Sequence, residues 1–269
     1  MAGALAGYYK KIKIGHVEAG LRSGDIYSPF PEEVNRRIIG TMCSFHFVPT
    51  ELAKANLLKE NHHQNLFITG NTVIDALLWG VEKVRANKEI EKSFSFLDPQ
   101  KKLLLVTAHR RESFGKPFID ICEALLEIAI KNPGFEIVYP VHLNPNVQEI
   151  VHAKLKDQSN IHLIKPADYP TLIWLMDKCY FVLTDSGGIQ EEAPSLGKPV
   201  IVLRNVTERQ EGIDAGTAVL VGTDKDAIVN AARNLIDDDA AYEKMAKAVN
   251  PYGDGTSAQQ IISIIMNSL

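Results

Sequence analysis

The stretch TDSGGIQEEAPSLGKP, residues 184–199, joins an apolar run to a helical pattern through Ser186-Gly187-Gly188. Where a strand of an open α/β sheet ends at a helix N-terminus, unpaired backbone N–H groups favour an anion. Paired glycines let the backbone approach a phosphate closely. Glu191 and Glu192 fall in the first helical turn, where the dipole favours a carboxylate; one of them could instead accept hydrogen bonds from ribose hydroxyls. A plain glycine turn followed by N-terminal acids is the other reading, and local chemistry leaves both open.

A second dense stretch is GHVEAGLRSGDIYSPFPEEVNRR, residues 15–37. Glu18 is expected at the carboxyl end of a strand, and Pro31 suits the first turn of a helix that begins at Glu32 and Glu33. For Glu33 the simple dipole-complementing role is favoured. Glu18 and Glu32 are different, because a strand end and a helix start can converge and divide acid and base work at carbon. In VTAHRRESFGKP, residues 106–117, His109, Arg110 and Arg111 place cationic or titratable groups at another strand end, a set suited to a diphosphate. His142 in YPVHLNPN has two open readings, a cleft residue or a capping or core histidine. Arg209 and Glu211 in VTERQEG could touch a ligand or form ion pairs. His46, His62, His63, His152 and His162 join no constellation, and no spacing reads as a metal site.

These residues need elements to hold them. Strand-like runs (KIKIGHVEA, SFHFVPT, NLFITG, KKLLLVTAH, FEIVYPVHL, NIHLIK, CYFVLTD, PVIVLR, TAVLVG) alternate with helical patterns. Long helical stretches are expected over 72–92 and 225–248, with a last helix at 256–268. Such alternation predicts an α/β fold with parallel sheets covered on both faces. Residues 100–250 carry six strands, enough for a complete doubly wound domain, whereas the first block has three. Ala2–Tyr9 read as the end of a helix and Lys11–Glu18 as a strand, an opening expected from the middle of a fold.

Composition excludes several classes. The chain has 269 residues, 45% apolar and 23% charged, as in ordinary globular proteins. A net charge of -4 gives no reason to expect nucleic acid. Cys43, Cys122 and Cys179 are too few and too scattered for a disulfide framework and read as buried thiols in a reducing compartment, the cytoplasm. No apolar run approaches the roughly 18 residues of a membrane helix, and the opening residues do not form a signal peptide.

Together the segments GHVEAGLRSGDIYSPFPEEVNRR, FITGNTVIDALLW, VTAHRRESFG, YPVHLNPNV, LTDSGGIQEEAPSLGKPV, TERQEG and NPYGDG closely resemble the non-hydrolysing UDP-N-acetylglucosamine 2-epimerases, in family order. The resemblance implies two Rossmann-like doubly wound domains of the GT-B type with the active site in the cleft between them. On that pattern residues 1–85 are the later part of a first domain, incomplete at its N-terminus. Residues 86–250 are the complete UDP-binding domain, and 251–269 a helix crossing back to the first. Roughly a hundred preceding residues of the family pattern are then absent, among them a loop aspartate that is one of the family's acid/base carboxylates. A separate N-terminal fragment is a possible partner.

Carried onto matching residues, the resemblance makes Glu18 and Glu32 active-site carboxylates and His109 a histidine supporting phosphate or acid/base chemistry. Ser186, Gly187 and Gly188 become the pyrophosphate grip, Glu192 the ribose acceptor and Arg209 a ligand contact. Arg110 and His142 match positions that hold a second, regulatory UDP-sugar in some members. PADYPTLIWL departs from the pattern at Ala167 and Leu172, where a base or ribose contact is expected. The implied reaction interconverts UDP-GlcNAc and UDP-ManNAc through 2-acetamidoglucal, for cell-surface polysaccharide precursors, with no cofactor and no metal, in a homodimer. The alternatives are a catalytically incomplete fragment that binds UDP or a UDP-sugar only, and a GT-B glycosyltransferase.

Overall fold

The computed structural model describes residues 1–27 and 30–268 as two contact units, one of residues 1–76 with 251–268 and one of residues 77–250. The sequence placed a domain boundary at 85/86; the division lies at Ala76/Leu77, inside a helix. Leu269, the end of the expected last helix, is outside the described residues.

The first unit contains α1 (Ala2–Tyr9), β1 (Gly15–Val17), α2 (Glu32–Met42), β2 (Phe45–Val48), α3 (Glu51–Lys59), β3 (Leu66–Ile68) and the start of α4 (Thr72–Ala86). Its three strands pair in parallel in the order β1-β2-β3. β1 is shorter than the expected Lys11–Glu18: Lys11 (φ 56°) and Glu18 (φ 59°) adopt left-handed backbone, which no strand continues through, and the pairing with β2 begins only at Gly15 opposite Phe45. Ala19, Val48, Ala53 and Leu57 form its buried apolar cluster. Gly20 (φ 84°) lies against α3 so closely that a Cβ there would sit 2.1 Å from the Ala53 carbonyl oxygen.

The second unit runs through α5 (Lys88–Ser93), β4 (Lys102–Thr107), α6 (Lys116–Lys131), β5 (Phe135–Pro140), α7 (Pro145–Leu155), β6 (Ile161–Ile164), α8 (Tyr169–Lys178) and β7 (Phe181–Thr184). It continues with α9 (Gly187–Ser195), β8 (Val200–Val202), α10 (Gln210–Asp214), β9 (Ala218–Leu220), α11 (Lys225–Asp237) and α12 (Asp239–Ala246). The expected helix over 72–92 breaks at Asn87, whose side chain caps α5 by accepting from Glu89 N at 3.0 Å. That over 225–248 breaks at Asp238, which accepts from Ala240 N and Ala241 N and so starts a new helix.

All six strands pair in parallel, in the order β6-β5-β4-β7-β8-β9. Alternation along KLLLVT sends Leu104 and Val106 into a core with α6, α7 and α11, and Leu103 and Leu105 into a second core with α4, α8 and α9. With both faces covered, the strands read as largely apolar runs, interrupted by Glu136 in β5 and His162 in β6. The chain leaves β4 in one direction along the sheet and returns at β7 to build the other half. The carboxyl ends of β4 and β7 therefore flank the topological switch point, where open α/β sheets bind ligands. α13 (Ser257–Met266) belongs to the first unit, where the Asp75 carboxylate caps it by accepting from Ser257 N at 3.2 Å and Ala258 N at 2.8 Å. Among the described residues no helix is long and apolar enough to cross a membrane.

Candidate functional site

At the switch point the second unit gathers His109, Arg110, His142 and the Ser186-Gly187-Gly188 turn. Thr107 and Thr184, the last residues of β4 and β7, join hydroxyl to hydroxyl at 2.6 Å in a buried hydrogen bond. Thr184 Oγ1 also accepts from Ser186 N at 2.9 Å, which fixes the turn into α9. Ser186 is the N-cap of α9, but its side chain makes no cap bond, so it does not occupy the helix's first N–H groups.

The loop leaving β4 is pinned at three successive residues. The buried Tyr139 hydroxyl donates to the Ala108 carbonyl at 2.5 Å, and Asp185 Oδ2 accepts from His109 N at 2.6 Å and Arg110 N at 2.7 Å. Asp185 is fully buried. Burial pushes its carboxyl up from the ordinary range, while the two backbone donors and the neighbouring His109 and Arg110 oppose that shift. His142 lies parallel to His109, with ring centroids 5.0 Å apart and planes 8° apart, so the HRR and VHLNPN stretches do come together.

Along α9, Glu192 is buried and accepts from the Tyr169 hydroxyl at 2.5 Å. Burial pushes the Glu192 carboxyl up, and the Tyr169 hydrogen bond acts against it. Arg209 Nε donates to Glu191 Oε1 at 2.7 Å, and its guanidinium lies over the turn, 3.3 Å from where a Cβ on Gly187 would stand. Arg209 forms the ion pair with Glu191, and its place over Gly187 keeps it beside the turn as well.

In the first unit Glu18 follows β1, exposed, and its Oε1 accepts from Asn71 Nδ2 at 2.8 Å. Glu32 is exposed at the start of α2. Glu33 does more than complement a helix dipole. It is fully buried, its oxygens accept from Ser23 N at 3.0 Å and Gly24 N at 3.4 Å, and Arg37 pairs with it at 3.0 Å. The glutamate thereby ties the loop after Glu18 to α2.

Of the polar residues that the sequence alone does not single out, Asp185, Tyr169 and Asn71 hold the candidate site residues through their side chains, and Thr107, Thr184 and Tyr139 fix the strand ends and loop beside them. Asp185 and Asn71 had a signal, a polar residue at the edge of a buried run inside a motif. Tyr169 had none, since its partner is 23 residues away. A separate cavity of 910 Å³ lies at the amino ends of β4 and β5, lined by residues including Lys102, Glu136, Trp174 and Tyr180, and contains none of the groups above. Among the described residues no cluster of His, Cys, Asp or Glu could hold a metal ion.

A doubly wound parallel sheet with a helix start at its switch point is the architecture of the open α/β proteins that bind ligands there. The family model for UDP-N-acetylglucosamine 2-epimerase matches residues 1–266, and the chain belongs to that family. It is 54% identical to the UDP-N-acetylglucosamine 2-epimerase of Yersinia pestis, covering 99% of this chain and 72% of the relative. With that of Escherichia coli K12 the identity is 52%, over 100% of this chain and 73% of the relative. The structure of UDP-GlcNAc 2-epimerase from Neisseria meningitidis bound to UDP-GlcNAc superposes with a TM-score of 0.93 at 46% identity, covering 99% of this chain and 73% of that one. The Methanocaldococcus jannaschii enzyme in complex with UDP-GlcNAc and UDP gives 0.81 at 35%, covering 99% and 72%. Both likenesses agree with the GT-B type expected from the sequence.

Proposed function

We propose that the chain interconverts UDP-N-acetylglucosamine and UDP-N-acetylmannosamine by elimination and re-addition of UDP. The carrying observation is the switch point of the second unit, where the α9 N-terminus and the Asp185-held HRR loop meet. Electrostatic groups fixed in advance there suit the negative charge that develops on a departing diphosphate. Family membership and the UDP-sugar complexes of similar structures support the same reading.

In this reaction a carboxylate takes the C2 proton as the C1–O bond breaks, and the bonding pair leaves with UDP. 2-Acetamidoglucal remains. UDP then adds back at C1 while a proton returns to C2 from the opposite face. Glu18 and Glu32 are read as the proton-transferring carboxylates. His109 supports the phosphate or the proton transfers, and Ser186, Gly187 and Gly188 hold the pyrophosphate. Glu192 accepts from the ribose hydroxyls, and Arg209 contacts the nucleotide. Arg110 and His142 hold a second UDP-sugar. The reading includes a homodimer, tested by light scattering, and a cytoplasmic location, which suits Cys122 and Cys179, buried thiols whose burial pushes them up to about 12.

The decisive assay incubates the chain with UDP-GlcNAc in D₂O and follows C2 by proton NMR. It is run alone and with the part of a relative that lies outside the matched span. Deuterium at C2 and the appearance of UDP-ManNAc are expected. UDP binding with neither, in both arms, would leave a nucleotide-binding module and overturn the reaction.

A further inference from the structure

Asp185 uses only half of its carboxylate for the loop backbone. Oδ2 takes both N–H groups, while Oδ1 is buried and has no hydrogen-bond partner. A buried polar atom without a partner is costly and calls for an explanation. Facing Oδ1 is the Nδ1 of His109, 3.9 Å away. A movement of about 1 Å closes that gap to an ordinary hydrogen bond.

The imidazole has little choice of orientation. It stacks on His142, whose own Nδ1 accepts from Asn144 N at 3.0 Å. Neutral His142 therefore carries its proton on Nε2. With the His109 ring held parallel and its Nδ1 edge towards a buried carboxylate, the second nitrogen, Nε2, lies on the far side of the ring from Asp185. The His109 side chain is 44% exposed, so a ligand can reach it.

We propose that Asp185 is the positioning residue for His109, its Oδ1 receiving the Nδ1–H and thereby leaving Nε2 as the nitrogen that exchanges a proton with the bound nucleotide sugar. The inference rests on the reading of His109 as a reacting group. Its physical content is the rule that the partner of one ring nitrogen sets the state of the other. One carboxylate then does two jobs at the switch point. Its first oxygen fixes where the histidine backbone is, and its second fixes which tautomer the side chain adopts.

A backbone role alone predicts something different, and Asp185→Asn separates the two. The amide keeps an oxygen for the His109 and Arg110 N–H groups but presents an NH₂ donor where Oδ1 stood. A donor there requires His109 Nδ1 to accept, which moves the proton to Nε2. The experiment is long-range ¹H–¹⁵N NMR of the full chain labelled in histidine, at a pH where the imidazoles are neutral, with His109→Gln to assign the signal. The native chain is expected to show His109 as the Nδ1–H tautomer and Asp185→Asn the Nε2–H tautomer. An Nε2–H tautomer in the native chain overturns the proposal without any variant, as does an unchanged tautomer in a folded Asp185→Asn. Neither readout needs turnover, so inactivity of the chain would count against the reaction and not against this pairing. Where turnover is measured, Asp185→Asn should lower kcat by about 100-fold or more with little change in KM, in line with loss of acid/base catalysis.

Discussion

The two units hold their reactive residues in different ways. In the second, His109, Arg110 and Ser186 sit on a six-stranded sheet with a packed core on each face, and buried polar groups (Asp185, Thr107, Thr184, Tyr139) tie them to it. In the first, Glu18 follows a three-residue strand over the cluster Ala19, Val48, Ala53 and Leu57. Its geometry depends on a left-handed backbone, a single bond from Asn71 and the Glu33-held loop. The lesson is one of reserve. His109, Arg110 and Ser186 stand between two large buried clusters, and Glu18 beside one of four residues.

The largest test of that contrast removes one core side chain. Leu57→Ala should cost about 2–5 kcal/mol, enough to strip amide protection from residues 1–76 while β4 and β7 keep theirs. Equal loss of protection in both units, read by hydrogen exchange, would break the comparison.

Acid gives the next largest effect. Burial, then the neighbouring cationic groups, pushes His16 down to about 4; burial, then His62 and Arg22, does the same to His46. Both lie in the first unit. In the unfolded chain they titrate near the ordinary value of about 6.5, so between the two values the unfolded state binds more protons. The stability they contribute is complete above about 6.5 and is lost as pH falls towards 4. Methyl NMR through that window should show Val48 and Leu57 losing native positions before Leu104 and Leu183. Simultaneous loss would mean the units share their stability.

The smallest effects compare the two carboxylate supports. Asn71→Ala removes a donor to a charged group, worth about 1.5–3 kcal/mol, and should lower kcat about tenfold or more while leaving UDP affinity unchanged. Tyr169→Phe removes the donor to Glu192 and should weaken UDP binding by about 2- to 12-fold, about 0.5–1.5 kcal/mol. Deuterium incorporation and calorimetry read the two. A kcat effect from Tyr169→Phe larger than that from Asn71→Ala would reverse the assignment of roles.

The strands were legible because parallel strands covered on both faces are largely apolar runs: KLLLVT and FVLT could hardly be anything else. The glycine turn and the HRR stretch were legible because they sit where such runs stop. Helix breaks were not, since Asn87 and Asp238 fit a helical pattern until their side chains turn back to cap the next segment. Asp185 carries a sequence signal, the end of a buried run inside a motif, but nothing local says which groups it holds. Its partners lie 76 and 75 residues earlier, in the loop leaving β4, a strand that becomes the neighbour of β7 only through the crossover order of the sheet. Asn71 and Glu18, 53 residues apart, posed the same difficulty.

The Asp75 cap on α13 has a consequence in time. Asp75 meets its partners Ser257 and Ala258 across separations of 182 and 183 residues, and Asn71 N donates to the Tyr252 carbonyl at 2.7 Å. On the ribosome the segment that braces the Asn71 beside Glu18 is made only after the whole second unit. The contacts that complete the first unit therefore wait for residues 251–268, which follow the whole of the second unit in the chain.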